Sequence, residues 1–159
     1  METKRLLIRP LEAQDIEALY TVLSDEAVMR YIETPFSRKQ TAEFIQHVNA
    51  AEPPLAHAVV WKENNTVIGH LIYHPYDAES WELGWILHRD YWHKGISDEL
   101  TTAVIADAQR REIPELVIEC DPNQTVTRHI AEKHGFRYMG EENNLAIYQR
   151  TIKRSVHTA

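Results

Sequence analysis

Trp85-Ile86-Leu87-His88-Arg89-Asp90-Tyr91-Trp92-His93-Lys94-Gly95-Ile96-Ser97-Asp98-Glu99-Leu100 joins a short apolar run to the start of a long amphipathic one. Residues 83–87 have the pattern of a strand, 89–94 that of a loop, and 96–111 that of a helix with Leu100, Val104 and Ala108 on one stripe and Pro114 beyond its end. A helix that opens just after a strand presents unpaired amides and a partial positive charge, and together these attract an anion. Lys94 adds a cation, and Gly95 lets the backbone turn sharply and a ligand come close. A Lys-Gly pair ahead of a helix is also common in solvated turns, so the rest of the chain has to decide.

Upstream, Leu6, Leu7 and Ile8 make a short strand closed by Pro10, and Ile16, Leu19, Tyr20 and Leu23 fall at helical spacing over 13–23. Ser37 caps a second expected helix carrying Ala42, Phe44, Ile45 and Val48, which Pro53-Pro54 ends; residues 29–36 between the two helices are a mixed loop. Strands follow over 56–61, 66–74 and 81–87, separated by turns at Asn64-Asn65 and Asp77-Ala78-Glu79. Downstream come a strand over 116–120, a helix over 124–134 and strands over 136–140 and 145–152. The order β, α, α, β, β, β, α, β, α, β, β, without repeat or linker, predicts one α+β domain over 1–159 with a mixed central sheet flanked by helices. Glycine is scarce, at five positions; Gly84 is expected to bulge its strand, and Gly69 to be an ordinary strand residue.

The 159 residues suffice for a core without staples, and 43% apolar with 26% charged residues is a globular balance. A net charge of −7 disfavours nucleic acid as partner and leans toward a cationic acceptor. Cys120 is the only cysteine, which excludes an intramolecular disulfide and fits a reducing compartment. No apolar run reaches the ~18 residues of a membrane span, and residues 1–10 carry charges where a signal peptide would be apolar, so a soluble, cytoplasmic protein is expected. His70 and His74 share a strand face but lie roughly 13 Å apart, and His129 and His134 diverge on a helix, so no metal is expected. Trp61, Tyr73, Tyr76, Trp81 and Trp85 lack an accompanying basic stripe and are expected in the core and a cleft.

With the order of elements in place, the stretch from Trp85 to Leu100 resembles the acetyl-CoA-binding motif of the GNAT N-acetyltransferase superfamily, most of all its ribosomal-protein N-terminal branch (RimJ/RimL type), where a Tyr-Trp pair precedes the phosphate loop. Arg5-Leu6-Leu7-Ile8-Arg9-Pro10-Leu11 and Glu132-Lys133-His134-Gly135-Phe136-Arg137-Tyr138 are similar to two further signatures of that branch, and the likeness extends from about Thr3 to Ile152. It implies the GNAT acyl-CoA N-acyltransferase fold, acetyl-CoA as co-substrate and an amine acceptor, with a homodimer frequent in the branch. It also implies a pantetheine arm bonded to the backbone at Trp85, Ile86 and Leu87, and a pyrophosphate on the amides of Trp92, His93, Lys94, Gly95, Ile96 and Ser97. The chain departs from the pattern in three places: His93 stands where the branch has Gly, Asp98 puts an anion in the first helical turn, and Ala131 takes the place of a tyrosine acid. Asp98 and Glu99 are expected to favour the helix dipole and point to solvent.

Acetyl transfer needs a neutral amine, a donor for the oxyanion and a proton for the departing thiolate. A strand amide near Leu87 would meet the oxyanion. Glu82 is the first candidate base, where many family members carry a Glu, and Glu119 the second; both have the pattern of ordinary strand residues as well. The branch's Asn-x-x-Ser proton donor falls on Gln124-Thr125-Val126-Thr127, which nominates Thr127 for the thiolate and Gln124 or Asn123 for the pantetheine amides. Tyr31, Glu33 and Phe36 are nominated for the acceptor side. The competing expectation is a GNAT-like module that binds acyl-CoA or a protein partner with little or no transfer, motivated by His93, Asp98 and the absent tyrosine.

Overall fold

The computed structural model describes residues 1–153. Seven strands form one sheet in the order β1-β2-β3-β4-β5-β7-β6: β1 (Leu6–Pro10), β2 (Ala56–Trp61), β3 (Thr66–Pro75), β4 (Ser80–Leu87), β5 (Glu115–Cys120), β6 (Arg137–Glu142) and β7 (Leu145–Thr151). All neighbours are antiparallel except β4 and β5, whose parallel pairing spans only Ser80–Glu82 against Glu115–Val117. Beyond Glu82 the two strands part, β4 continuing on its ladder with β3 and β5 on its ladder with β7.

Alternation along the strands divides the apolar side chains between two faces. On one, Leu83 and Leu87 of β4, Tyr73 of β3 and Ile118 of β5 pack with Ile96, Leu100, Val104 and Ala108 of α4 (Ile96–Arg110) and Ala131 of α5 (Thr125–Lys133). On the other, Ile86 joins Leu19, Val22 and Leu23 of α1 (Ile16–Leu23), Val28 and Met29 of α2 (Glu26–Met29), and Ile45 and Val48 of α3 (Arg38–Ala50). Glu82 and Gly84, which share the parity of Ile86, therefore face the α1–α3 side. Ser37 caps α3 as expected, its hydroxyl accepting from the Gln40 amide at 3.1 Å while the Gln40 side chain accepts from the Ser37 amide. The short helix α2 was not legible because its one turn has no apolar period; Asp25 nucleates it by accepting from the Ala27 amide. Arg9, in the amino-terminal signature, forks onto buried Asp15 at 2.8 and 2.9 Å and so pins β1 to the entry of α1.

Two glycine expectations are corrected. Gly84 makes no bulge: the β3–β4 register runs unbroken from Gly69↔Leu87 to Pro75↔Trp81, and the register shifts lie instead between β2 and β3 at Val59/Val60, where Ile68 of β3 is the extra residue, and in β6 at Tyr138/Glu141. Gly69 is not an ordinary strand residue, since a Cβ there would sit 2.0 Å from the Ile86 carbonyl oxygen, so β4 and β3 approach as closely as they do only because Gly69 has no side chain.

His70 lies fully inside the α1–α3 face, its ring 5.0 Å from that of Phe44 and its Nδ1 without a hydrogen-bond partner. Burial pushes its value down to about 4 from 6.5. The unfolded chain takes up a proton below pH 6.5 and the folded one only near pH 4, so this contribution is whole above pH 6.5, declines as pH falls and is lost below about pH 4. His70→Leu should remove that loss, worth on the order of 3 kcal/mol, and shift the acid-unfolding midpoint to lower pH in a circular-dichroism titration; an unmoved midpoint would show that other groups set acid stability.

Candidate active site

The parting of β4 and β5 exposes backbone that a sheet normally consumes. The His88 amide donates to the Ile68 carbonyl at 2.7 Å, which fixes the parity of the β3–β4 ladder: even-numbered residues of β4 bond to β3, and odd-numbered ones turn their peptide groups toward β5. Trp85 and Leu87, opposite no partner on β5, thus direct peptide groups into the gap. The Leu87 carbonyl accepts the Trp92 indole N–H at 3.0 Å, leaving the Trp85 N–H and C=O and the Leu87 N–H. Ile86 is a correction to the sequence expectation, because its peptide groups serve β3 and its side chain the α1–α3 core.

Past Leu87 the chain makes a 3-10 turn, Arg89–Tyr91, and enters α4 through two left-handed residues, His93 at φ 61° and Gly95 at φ 75°. Gly95 contributes no capping side chain, so the first amides of α4 remain unpaired. Trp92, His93, Lys94 and Gly95 are all exposed, Ile96 is buried beneath them, and Ser97 is half-buried with its carbonyl accepting from Thr101 Oγ1 at 2.7 Å. The loop is anchored rather than free: Arg89 forks onto Asp25 at 2.6 and 3.0 Å, and the Tyr91 ring packs on Trp61 at 5.3 Å.

Neither acid of the first turn points to solvent, which corrects both residues' expected placement. Glu99 accepts from the Arg5 amide at 3.1 Å, Arg5 Nε at 2.7 Å and Thr3 Oγ1 at 2.5 Å. Asp98 meets His134 Nε2 at 2.8 Å and Lys133 Nζ at 3.1 Å, tying α4 to the end of α5. Burial pushes both carboxyls up, but these partners outweigh it and hold both below their ordinary values. Arg5 is a residue that sequence reasoning missed in this place: its Nη2 comes within 3.7 Å of where a Gly95 Cβ would lie, which sets a second cation beside the α4 amino terminus along with Lys94.

Across the gap, Asp121-Pro122-Asn123 forms a turn in which Asp121 Oδ1 accepts from the Asn123 amide at 2.8 Å and Gln124 Oε1 from the Asp121 amide at 2.9 Å. Gln124 thus spends its oxygen locally and keeps its NH2 group. Asn123 is exposed, and Thr127, in the first turn of α5, is half-buried. Ala131 is fully buried against the core, with its carbonyl accepting from the Phe136 amide at 2.9 Å.

On the α1–α3 side of the same junction, Glu82 stands at the last rung shared by β4 and β5, and its Oε2 is 3.0 Å from His74 Nε2. Both side chains are about one-fifth exposed. His74 Nδ1 donates to the Pro75 carbonyl at 2.8 Å. The Glu82 hydrogen bond raises the His74 value above 6.5 against a smaller opposing effect of burial. Glu119 accepts from the Tyr76 hydroxyl, and that bond, with some burial, pushes the phenol up to about 12. Sequence reasoning missed both partners, since the cross-strand pair His74↔Glu82 exists only once the register is known. Phe36 packs on Phe44 at 6.2 Å against the α1–α3 core, whereas Tyr31 and Glu33 are exposed, with Arg30 stacked 5.0 Å over the Tyr31 ring. Among the described residues no group of three or more His, Cys, Asp or Glu is placed to hold a metal ion, and no helix is long and apolar enough to cross a membrane.

A left-handed conformation suits glycine and costs other residues about 1 kcal/mol. His93→Gly should therefore raise the urea midpoint slightly, by the equivalent of ~0.5 kcal/mol after the entropy cost of glycine; lower stability would mean that the His93 side chain makes a compensating contact.

A family model described as an acetyltransferase (GNAT) domain matches residues 5–137. An uncharacterized N-acetyltransferase of Bacillus subtilis (strain 168), YnaD, is 28% identical over 140 residues, covering 87% of this chain and 82% of its own. A GNAT-family acetyltransferase structure from Bacillus anthracis superposes with a TM-score of 0.85 at 27% identity, covering 95% of this chain and 97% of the other. The ribosomal L7/L12 alpha-N-protein acetyltransferase RimL, solved with coenzyme A, shares the fold at a TM-score of 0.80 and 20% identity, covering 94% of this chain and 96% of the other. With the parted strands and the glycine-entered helix already described, the family match over most of its length makes this chain an acetyltransferase of the GNAT family.

Proposed function

We propose that this protein transfers the acetyl group of acetyl-CoA to a primary amine, either a protein amino terminus or a small cationic amine, by direct attack of the amine on the thioester. One observation carries the proposal: the free peptide groups of Trp85 and Leu87 lead to the unpaired first amides of α4, with Glu82 on the far side of the same strand. A pantetheine arm contains amides that can pair with those peptide groups as an added strand would. Its pyrophosphate fits the amides from His93 to Ser97, the expected Trp92 amide being taken by the Arg89 carbonyl at 3.1 Å; Lys94 supplies positive charge there, and Asp98 and Glu99 are already paired with Lys133, His134 and Arg5. Ile96 serves that turn from below by filling the core, and the side-chain NH2 of Gln124 or the side-chain amide of Asn123 is available to the arm from across the gap.

In this scheme the Leu87 amide donates to the thioester oxygen as negative charge develops on it. Glu82 takes a proton from the acceptor ammonium, the free amine attacks the carbonyl carbon, and the carbon–sulfur bond breaks. Thr127, near the amino end of α5, relays the second amine proton to the departing thiolate. Tyr31, Glu33 and Phe36 lie on the acceptor side, and the net charge of −7 favours a cationic acceptor there.

The second reading, a module that holds CoA without transferring its acetyl group, is favoured by two observations: the exposed His93 side chain in the phosphate turn, and Ala131, which has no hydroxyl to offer the thiolate. Titration calorimetry with CoA, followed by acetyl transfer to a panel of polyamines and amino-terminal peptides, separates the readings. Binding with turnover is expected; binding without turnover on any amine would favour the module, and no heat at millimolar CoA would overturn both. Glu82→Gln should lower kcat by about 10²-fold while leaving the KM for acetyl-CoA in place. An equal loss in both parameters would point to a damaged site instead of a missing base.

A further inference from the structure

A lone carboxylate is a weak base for an ammonium. An isolated carboxylate titrates near ~4.3 and holds a proton poorly at neutral pH, whereas an imidazole titrates near ~6.5. The structure gives Glu82 an imidazole. His74 sits directly opposite it on β3, with Nε2 at 3.0 Å from Oε2. The other ring nitrogen faces the Pro75 carbonyl at 2.8 Å, and a carbonyl can only accept, so Nδ1 carries a hydrogen in every protonation state. When the ring is neutral, the vacant nitrogen is therefore Nε2, the one aimed at the carboxylate.

We infer that His74 and Glu82 form a dyad in which Glu82 touches the acceptor amine and His74 Nε2 receives and stores the proton that Glu82 removes. The inference rests on the transferase reading of the preceding section and assigns to that site a residue outside its expected machinery. The step balances. The acceptor ammonium gives one proton through Glu82 to His74 Nε2, which leaves a neutral amine beside a carboxylate–imidazolium pair. The amine attacks the thioester carbon, its second proton leaves with the thiolate as CoA thiol, and the imidazolium later returns its proton to water. No heavy atom has to move, because the stored proton lies within the 3.0 Å contact that already exists. His74 acts through Glu82 and is a positioning residue rather than one that meets the substrate.

The charged and titratable surroundings are consistent with this use. From β4 comes Glu82; from the turn after β3, Tyr76; from β5, Glu119, which Tyr76 engages; and from β6, Glu142, whose charge reaches Tyr76. His70, on the same face of β3, is fully buried and neutral over the working range. Among these, Glu82 is the charged side chain that acts on His74, and it raises the ring above 6.5. The dyad accepts a proton only once that ring is neutral, so turnover should rise as pH rises through the raised His74 value.

The test combines NMR with kinetics on the intact protein. The His74 ring, followed by its carbon–proton resonances, should titrate above 6.5 in the wild type and fall back when Glu82→Gln removes the carboxylate. Acetyl transfer to spermidine and to an alanine-terminated peptide should have an ascending kcat limb that coincides with the His74 titration for both acceptors. His74→Gln should lower kcat by roughly 10- to 100-fold and move that limb, with KM for acetyl-CoA unchanged and thermal unfolding near that of the wild type. A His74 titration insensitive to Glu82→Gln, or a limb that stays in place in His74→Gln, would overturn the dyad while leaving the transferase reading intact. Wild-type protein that binds CoA yet acetylates neither these nor any other amine would overturn the transferase reading and the dyad with it.

Discussion

The parallel pairing of β4 and β5 lasts for three rungs, Ser80 to Glu82 against Glu115 to Val117, and every feature of the site descends from its stopping there. Continued pairing would consume the peptide groups of Trp85 and Leu87 and draw α5 toward the β4 edge. The strands can part because each is secured on its outer side: β4 by seven paired residues of β3, and β5 by six of β7. The gap is thus an opening between two well-held half-sheets. Asp98 ties the two sides above it, reaching from α4 to Lys133 and His134 at the end of α5.

Electrostatics at the helix entrance follows from the same arrangement. A chain with a net charge of −7 has to keep its acids from cancelling the positive end of α4. It does so by pairing them: Glu99 with Arg5 and Thr3, Asp98 with Lys133 and His134, and Asp25 with Arg89. These contacts also connect the residues before β1, α2 and α5 to the turn that enters α4. The amino-terminal signature and the one at the end of α5 are remote in sequence, yet each sends a cation to the first turn of α4.

Local sequence signals located most strands and helices to within a residue or two, because turns at Asn64-Asn65, caps such as Ser37 and breakers such as Pro114 act over a few residues. What escaped was set by register. The role of Gly69 depends on the Ile86 carbonyl, seventeen positions away in the chain, and the neighbour of Glu82 is a histidine on another strand. Asp98 and Glu99 were expected in solvent because a helix dipole explains a first-turn acid without any partner, and only the tertiary structure supplies Arg5 and His134. Likewise, the expected backbone contact at Ile86 ignored strand parity, which gives that residue to β3.

Parity also separates two sets of groups on one strand. Even-numbered residues of β4 bond to β3 and send the Glu82 side chain to the α1–α3 face; odd-numbered ones send the peptide groups of Trp85 and Leu87 into the gap. The Glu82 carboxylate and the peptide groups of Trp85 and Leu87 are thereby held three to five residues apart on one rigid element. Because the ladder with β3 fixes both sets at once, and the 29–36 loop lies outside that ladder, changes in the loop leave the relation between the Glu82 carboxylate and the Leu87 amide undisturbed.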